Sequence, residues 1–316
     1  MESSNLSQSQ ASKNSNKLAI ATLSCALVAI SFAPIFIRLS ETELGANATV
    51  FNRMFIFFIV FGLGQYLVRR PEPLDAEPKA EPEPKSLQQW ILLLGVGVIS
   101  IISLVLWAIS LQYTTVAKCM LLNNLTPIFT SLGSWLIFGK KFDTRFLIGM
   151  AIALIGAIGL GFEDLRGGDG LLLGDLLAVS SAVFLGTYFL MVEQLRNTYD
   201  ATTILLWRCG VGCVLLVPLI FFTEGQFFPT TTVAIAAVFG LGILCEGFGQ
   251  RLIAVCMDTL SCSFVSLFLL LEPIISGLLA WAIFTEALGF STWIGFAVVL
   301  SGIYLAQTSS AAVQEI

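Results

Sequence analysis

Apolar and polar residues alternate on a long scale along this chain. Ten largely apolar stretches, at 18–39, 47–68, 90–111, 115–138, 145–162, 171–192, 201–223, 231–252, 260–284 and 290–308, are separated by short polar segments. Each is near the roughly 20 residues that cross a hydrocarbon core of about 30 Å. Backbone groups in that core find no water, so the stretches are predicted to be helices. The first is too long for the apolar core of a signal peptide. The small-residue site Ala46-Asn47-Ala48 also lies well past its end, so the stretch reads as a first span. Residues 1–17 read as a polar, disordered tail and 309–316 as a second tail. The Pro- and Glu-rich stretch within 69–89 reads as a tether with too few apolar residues to form a core.

Composition strengthens this picture. The chain is 56% hydrophobic and 12% charged, against roughly 45–50% and about 25% in an average soluble domain. So little charge cannot cover a soluble globule of this size, and most of the chain must face lipid. The expected fold is an all-α membrane protein. There is no basic patch with interleaved aromatics, which argues against nucleic-acid binding. There is no histidine, and the seven cysteines have no CxxC spacing, so no metal or cofactor is expected. Cys209 and Cys213 share a helix face, where they read as small packing residues.

Charge sets the orientation. With residue 1 inside, eleven Lys and Arg fall on the inner side. Three (Arg38, Lys118 and Arg166) fall outside, and Arg53 and Arg208 lie within spans. The positive-inside rule then puts both termini in the cytoplasm of a multi-pass cell-membrane protein.

The chain also repeats itself. At an offset of 146 residues Pro127 falls on Pro273, Trp135 on Trp281, Gly149 on Gly295 and Gly156 on Gly302. From Leu121 to Gly156 there are 13 identities in 36 ungapped positions. Arg53 and Arg208 each follow an alanine, Ala46 and Ala201, by seven residues. The halves, 18–162 and 171–308, have five spans each. An odd number of spans inverts one half relative to the other, the arrangement of many secondary transporters.

The two segments that carry this register, "LQYTTVAKCMLLNNLTPIFTSLGSWLIFGKKF" and "VSLFLLLEPIISGLLAWAIFTEALGFSTWIGFAVVLSGIYLA", resemble the two halves of EamA-type transporters in the drug/metabolite transporter superfamily. The resemblance extends over nearly the whole chain. It implies ten transmembrane helices as two inverted five-helix repeats, cytoplasmic termini, a central cavity and, often, export of small metabolites. One position departs from the family pattern. An acid often follows the proline by thirteen residues; the second half has Glu286 there, the first Lys140.

Candidate chemistry lies at the polar positions inside the spans. Glu272 falls near mid-membrane, where a charge costs about 2.5–3.5 kcal/mol on insertion scales. Pro273 beside it weakens the helix. The pair suits a proton-coupling or substrate site, and equally a structural acid beside a kink; Pro127 is the matching helix break. Asn123 and Asn124 offer uncharged hydrogen bonds in span 4, as ligands or as glue between helices. Ser100, Ser103, Trp107 and Ser110 share one face of span 3. Glu246 and Gln250 lie one turn apart in span 8; Glu246, nearer the cytoplasm, is a site candidate or else an acid that snorkels or pairs with a cation. Arg53 and Arg208 are candidate gates or counter-ions, or boundary anchors, and counting along the spans puts one near each membrane face. The expected pocket is lined by Trp107, Asn123, Asn124, Glu246 and Glu272, between spans 3, 4, 8 and 9. Such a pocket suits a small, partly hydrophobic solute better than a polyanion. Gly149, Ala153, Gly156, Gly295 and Gly302 form small-residue faces for close helix packing, and a homodimer through such faces is one use of them.

The expected function is a secondary transporter that moves a small molecule by alternating access, with coupling to protons left open. The alternatives are a non-transporting sensor or scaffold on the same fold and a lipid-modifying membrane enzyme. The second lacks any HExxH, GxSxG or P-loop motif.

Overall fold

A computed structural model describes residues 2–68, 87–110, 113, 119, 122–161, 172–284 and 290–312. The linker 69–86, the loop 163–170, Lys118, Glu286 and the residues past 312 lie outside the described residues. Among those described, every regular element is a helix, and six are long and apolar enough to cross a membrane: Asn16–Ser40, Ala46–Leu67, Gln89–Ser110, Leu172–Arg196, Ala201–Thr223 and Thr232–Cys256. Four shorter apolar helices are Thr126–Phe138, Thr144–Gly159, Cys262–Ser276 and Trp293–Gln307. Each expected span overlaps one of these ten apolar helices, six of which reach membrane-crossing length.

Three details differ from the sequence expectation. The first helix, Glu2–Ser31, begins inside the segment read as a structureless tail. That segment has no Gly or Pro to stop a helix running back from the apolar stretch. The first span then breaks at Phe32 and resumes as Ala33–Ser40 with Pro34 in its first turn. Span 8 is not uniform: Thr232–Phe239 and Arg251–Cys256 flank a π-helical segment, Gly240–Gln250. Span 9 likewise passes from Cys262–Phe268 through a 3-10 turn, Leu269–Leu271, into Glu272–Phe284.

The main helix contacts map onto themselves when the halves are exchanged. Spans 5 and 10, 2 and 7, and 4 and 9 pack as pairs. Span 3 packs on span 6 as span 1 packs on span 8, span 4 on span 6 as span 1 on span 9, and span 3 on span 7 as span 2 on span 8. The closest approach joins spans 5 and 10. A Cβ at Gly302 would stand 2.4 Å from the Ala153 nitrogen and 2.6 Å from the Gly149 carbonyl oxygen. Backbone here touches backbone, which only glycine allows. These small faces therefore meet within the chain, and on these two helices they are not available to a second copy as the homodimer expectation requires.

Polar clamps tie the halves at both ends of the bundle. At one end Glu224 accepts hydrogen bonds from the Asn47 and Ala48 backbone N–H groups, 2.8 Å each. These are orphan donors of the helix Ala46–Val68, and a carboxylate suits the positive end of its dipole. Gly45 makes room, since a Cβ there would lie 2.2 Å from the Glu224 carboxyl carbon. Beside it Glu43 accepts from the backbone of Thr230 (2.6 Å) and Thr231 (3.0 Å) and from both hydroxyls. At the opposite end Lys140 of the first half pairs with Glu193 of the second at 3.0 Å, and beside it Arg196 pairs with Asp258 within the second half.

Candidate functional site

A cavity of about 230 Å³ opens among the spans. Most of the sequence-nominated residues converge on it. Span 2 contributes Arg53, span 3 Ser100, Ser103 and Trp107, span 4 Asn123, span 7 Arg208, span 8 Gln250 and span 9 Glu272. Spans 1 and 6 add Ile30, Ser181, Leu185, Tyr188 and Phe189.

Glu246 sits behind this wall rather than on it. Its side chain has no exposure, and both carboxylate oxygens are engaged. Arg53 Nε donates to Oε2 at 2.7 Å and Arg208 Nη1 donates to Oε1. The Cys209 thiol adds a weak contact to Oε1 at 3.7 Å. Arg208 Nε donates to the Ser100 hydroxyl at 2.8 Å, and its guanidinium carbon stands 5.1 Å from the Tyr188 ring centre, a cation–π contact. Four spans are thus fastened by one charge cluster: span 2 from the first half, spans 7 and 8 from the second, and span 3 through Ser100.

One expectation is corrected here. Arg53 and Arg208 do not sit at opposite membrane faces away from the pocket; they meet at one carboxylate and line the cavity. A carboxylate in lipid would be costly alone, and so would two guanidiniums. Bringing them together satisfies all three. Of the two alternatives for Glu246, it pairs with cations rather than reaching toward the membrane surface, enclosed by those partners.

The charge sum of the cluster matters. Two guanidiniums against one carboxylate leave one positive charge, and each guanidinium has five N–H donors, more than the contacts just named use. Glu272 lines the same cavity, and among the described residues no hydrogen bond reaches its carboxylate. The Asn123 side-chain oxygen is buried without a partner. The cavity therefore carries donors on the arginine side, a carboxylate on span 9 and an apolar wall from Leu104, Trp107 and Leu185.

Asn124 does not line the cavity; it is half-buried one position further along span 4. Pro127 and Pro273 both fall in the first turn of a helix, Thr126–Phe138 and Glu272–Phe284, where proline costs nothing in lost hydrogen bonds. Just before Glu272 the 3-10 turn marks the soft point. The described cysteines are all free, and among the described residues no three His, Cys, Asp or Glu cluster for a metal.

Sequence reasoning missed three residues. Tyr188 was one more aromatic in an apolar span. Ser181 exchanges hydrogen bonds with Ser103 (2.9 and 2.8 Å) across spans 3 and 6. Glu193 fell one residue past the expected end of span 6, yet the helix continues to Arg196 and the side chain is only 3% exposed. Lys140, a cation at the end of an apolar span, is the signal for an acidic partner; the acid nearest in sequence, Asp143, is taken by the Phe146 N–H and the Ser309 hydroxyl.

Comparison with known proteins agrees with this architecture. An 18% identical chain, described only as the crystal structure of a protein, superimposes with a TM-score of 0.74 over 92% of this chain and 97% of its own. At that identity the likeness is one of fold alone. Three relatives from Archaeoglobus fulgidus are each named an uncharacterized transporter. One is 26% identical over 138 residues, 44% of this chain and 43% of its own length. The second is 23% identical over 207 residues, 62% and 68%; the third is 23% identical over 216 residues, 68% and 75%. The match thus spans less than half of the first relative. The EamA-like transporter family matches twice, at residues 17–162 and 172–308, which are the two halves marked by the internal register. This multi-pass membrane chain belongs to the EamA-like transporter family.

Proposed function

We propose that the protein is a secondary transporter that exports a small solute across the cell membrane by alternating access to the central cavity. Ten spans in two inverted halves, with both termini cytoplasmic, would provide the two-state scaffold. One observation carries the reading: residues of both halves converge on a single polar cavity inside a lipid-facing bundle. The solute favoured by the charge layout has one anionic group for the Arg53 and Arg208 forks. It has a cationic or donor group for Glu272 and a modest apolar body for the Trp107 wall. A polyanion fits poorly, because one net positive charge and a facing carboxylate cannot balance it. Glu272 serves as the proton-coupling site in this reading, being a carboxyl without a fixed partner beside a break in its helix.

The test is flux in proteoliposomes containing purified protein. Labelled zwitterions, monoanions, dianions and neutral solutes of comparable size are compared, each with and without a pH gradient. The reading expects flux of one-charge or zwitterionic solutes that Arg208→Gln abolishes. Flux of none of these classes, with intact folded protein, removes transport in favour of a sensor or scaffold. Flux unaltered by Arg208→Gln removes the cavity assignment.

A further inference from the structure

Below the cavity, spans 4 and 9 are joined by a ladder of buried polar contacts. Thr130 and Ser266 pair through their hydroxyls at 2.6 Å. One turn further along both helices, Ser134 meets Ser263 at 3.2 Å and the Cys262 sulfur at 3.4 Å. At the end of span 4, Lys140 reaches Glu193, whose Oε1 also accepts the Cys262 backbone N–H at 3.0 Å. Thr130, Ser134 and Ser263 have no exposure, and Ser266 and Glu193 have 3%. On span 4 the ladder lies C-terminal to the cavity residue Asn123. On span 9 it lies N-terminal to Leu269 and Glu272, so on both helices it runs away from the cavity toward the Lys140 end.

The repeat register exposes an asymmetry. Under the 146-residue offset Thr130 corresponds to Ser276, Ser134 to Ala280, Ser266 to Met120, Ser263 to Ala117 and Cys262 to Val116. Exchanging the halves therefore replaces each hydroxyl pair by a contact in which at least one member is an apolar side chain. The register also sets Glu286 where Lys140 stands, so the exchanged contact does not repeat the Lys140–Glu193 pair in kind. If the two states of the transporter use exchanged versions of one contact, only one state has this hydroxyl ladder between spans 4 and 9. In an apolar interior such bonds count, since an unpaired hydroxyl finds no water.

We propose that the Thr130–Ser266, Ser134–Ser263/Cys262 and Lys140–Glu193 contacts form the gate at the Lys140 end, and that its polar ladder biases the protein toward the state closed there and open at the opposite end. This rests on the alternating-access reading. With the proposed topology the closed end is cytoplasmic. The exchanged contact would set Ser276 against Met120 and Ala280 against Ala117, with no hydroxyl pair, and is the weaker of the two span 4–span 9 contacts.

The native Cys262 supplies the test. Ser134→Cys places a second thiol where the hydroxyl now contacts the sulfur, so a mild oxidant should form a disulfide that Cys262→Ser prevents. Leu104→Cys in the cavity wall reports access, read by mass spectrometry after an impermeant thiol reagent is applied to right-side-out or inverted vesicles. Locked protein should lose labelling of residue 104 from the Lys140 side and keep it from the other. Thr130→Val and Ser134→Ala should each raise labelling from the Lys140 side on the order of threefold, the ratio expected for one interhelical hydrogen bond. Thr130→Cys with Ser266→Cys gives an independent lock one turn closer to the cavity. Failure of both locks to form, labelling from the Lys140 side that survives a lock, or unchanged rates without the hydroxyls would overturn the gate. None of these readouts needs a substrate. A lock that behaves as expected in a protein without flux would sink the transport reading and leave the gate standing.

Discussion

Glu246 provides the sharpest energetic test, because one carboxylate is the shared partner of two largely buried cations. Arg53 and Arg208 keep only 18% and 12% side-chain exposure, and Glu246 none. Removing one partner of a buried ion pair costs about 3–5 kcal/mol, because the other charge stays desolvated. Glu246→Gln leaves two such cations at once, and its amide NH2 faces a guanidinium donor with nothing to accept. The expected loss lies at or above the top of that range. Each 1.4 kcal/mol is about tenfold, so the folded-to-unfolded ratio falls by roughly a thousandfold or more. Arg53→Gln behaves differently. It leaves Glu246 paired with Arg208, one charge to one, and should cost far less. The triple variant Arg53→Gln, Arg208→Gln, Glu246→Gln removes every charge and should regain much of the stability lost in Glu246→Gln alone. SDS-unfolding titrations of purified protein give these differences directly. The reasoning is refuted if Glu246→Gln unfolds within about 1 kcal/mol of wild type, a value typical of an exposed pair. It is also refuted if Arg53→Gln is as damaging as Glu246→Gln.

Three further outcomes are expected. Gly302→Val should force spans 5 and 10 apart and destabilise by about 1–3 kcal/mol or more, whereas Gly159→Ala, with open space around its Cβ position, should be neutral or slightly stabilising in the same thermal melts. The hydrogen bonds from Thr230 and Thr231 hold the Glu43 carboxyl down at about 2, against an ordinary 4.5. A depressed acid contributes its stability above the unfolded value and loses it as pH falls from about 4.5 through about 2. Amide-exchange protection of residues 226–231, corrected for intrinsic rate, should therefore be equal at pH 7 and pH 5 and drop with Glu43→Gln; a loss of protection between pH 7 and 5 would contradict this. Glu272→Gln should keep the fold and melting temperature but flatten the pH dependence of flux, and an unchanged pH profile would make Glu272 structural.

Much of the fold was legible because lipid imposes a one-dimensional rule. A run of apolar residues of the right length becomes a helix, and small residues in register at Gly149, Gly156 and Gly302 become the tightest helix contact. The departures come from what hydropathy does not encode. Nothing in the apolar pattern announces the π-helical stretch Gly240–Gln250, since it changes the turn without changing the composition. The depth of Arg53 and Arg208 was misjudged by counting residues from each span's start. Seven residues in from opposite ends they still reach one carboxylate, because a long side chain follows its counter-charge rather than its Cα. The pairing of Lys140 with Glu193 depends on where spans 4, 6 and 9 converge. A two-half register does not specify that meeting of three helices.

The account stands or falls on whether one cavity is reached from both sides of the membrane. Leu185→Cys places a thiol on the span 6 wall of that cavity, away from the charge cluster and the ladder. An impermeant thiol reagent applied separately to right-side-out and inverted vesicles should label residue 185 from both sides, more slowly from the Lys140 end. Labelling from one side only, at every pH and with every solute in the flux panel, would contradict alternating access.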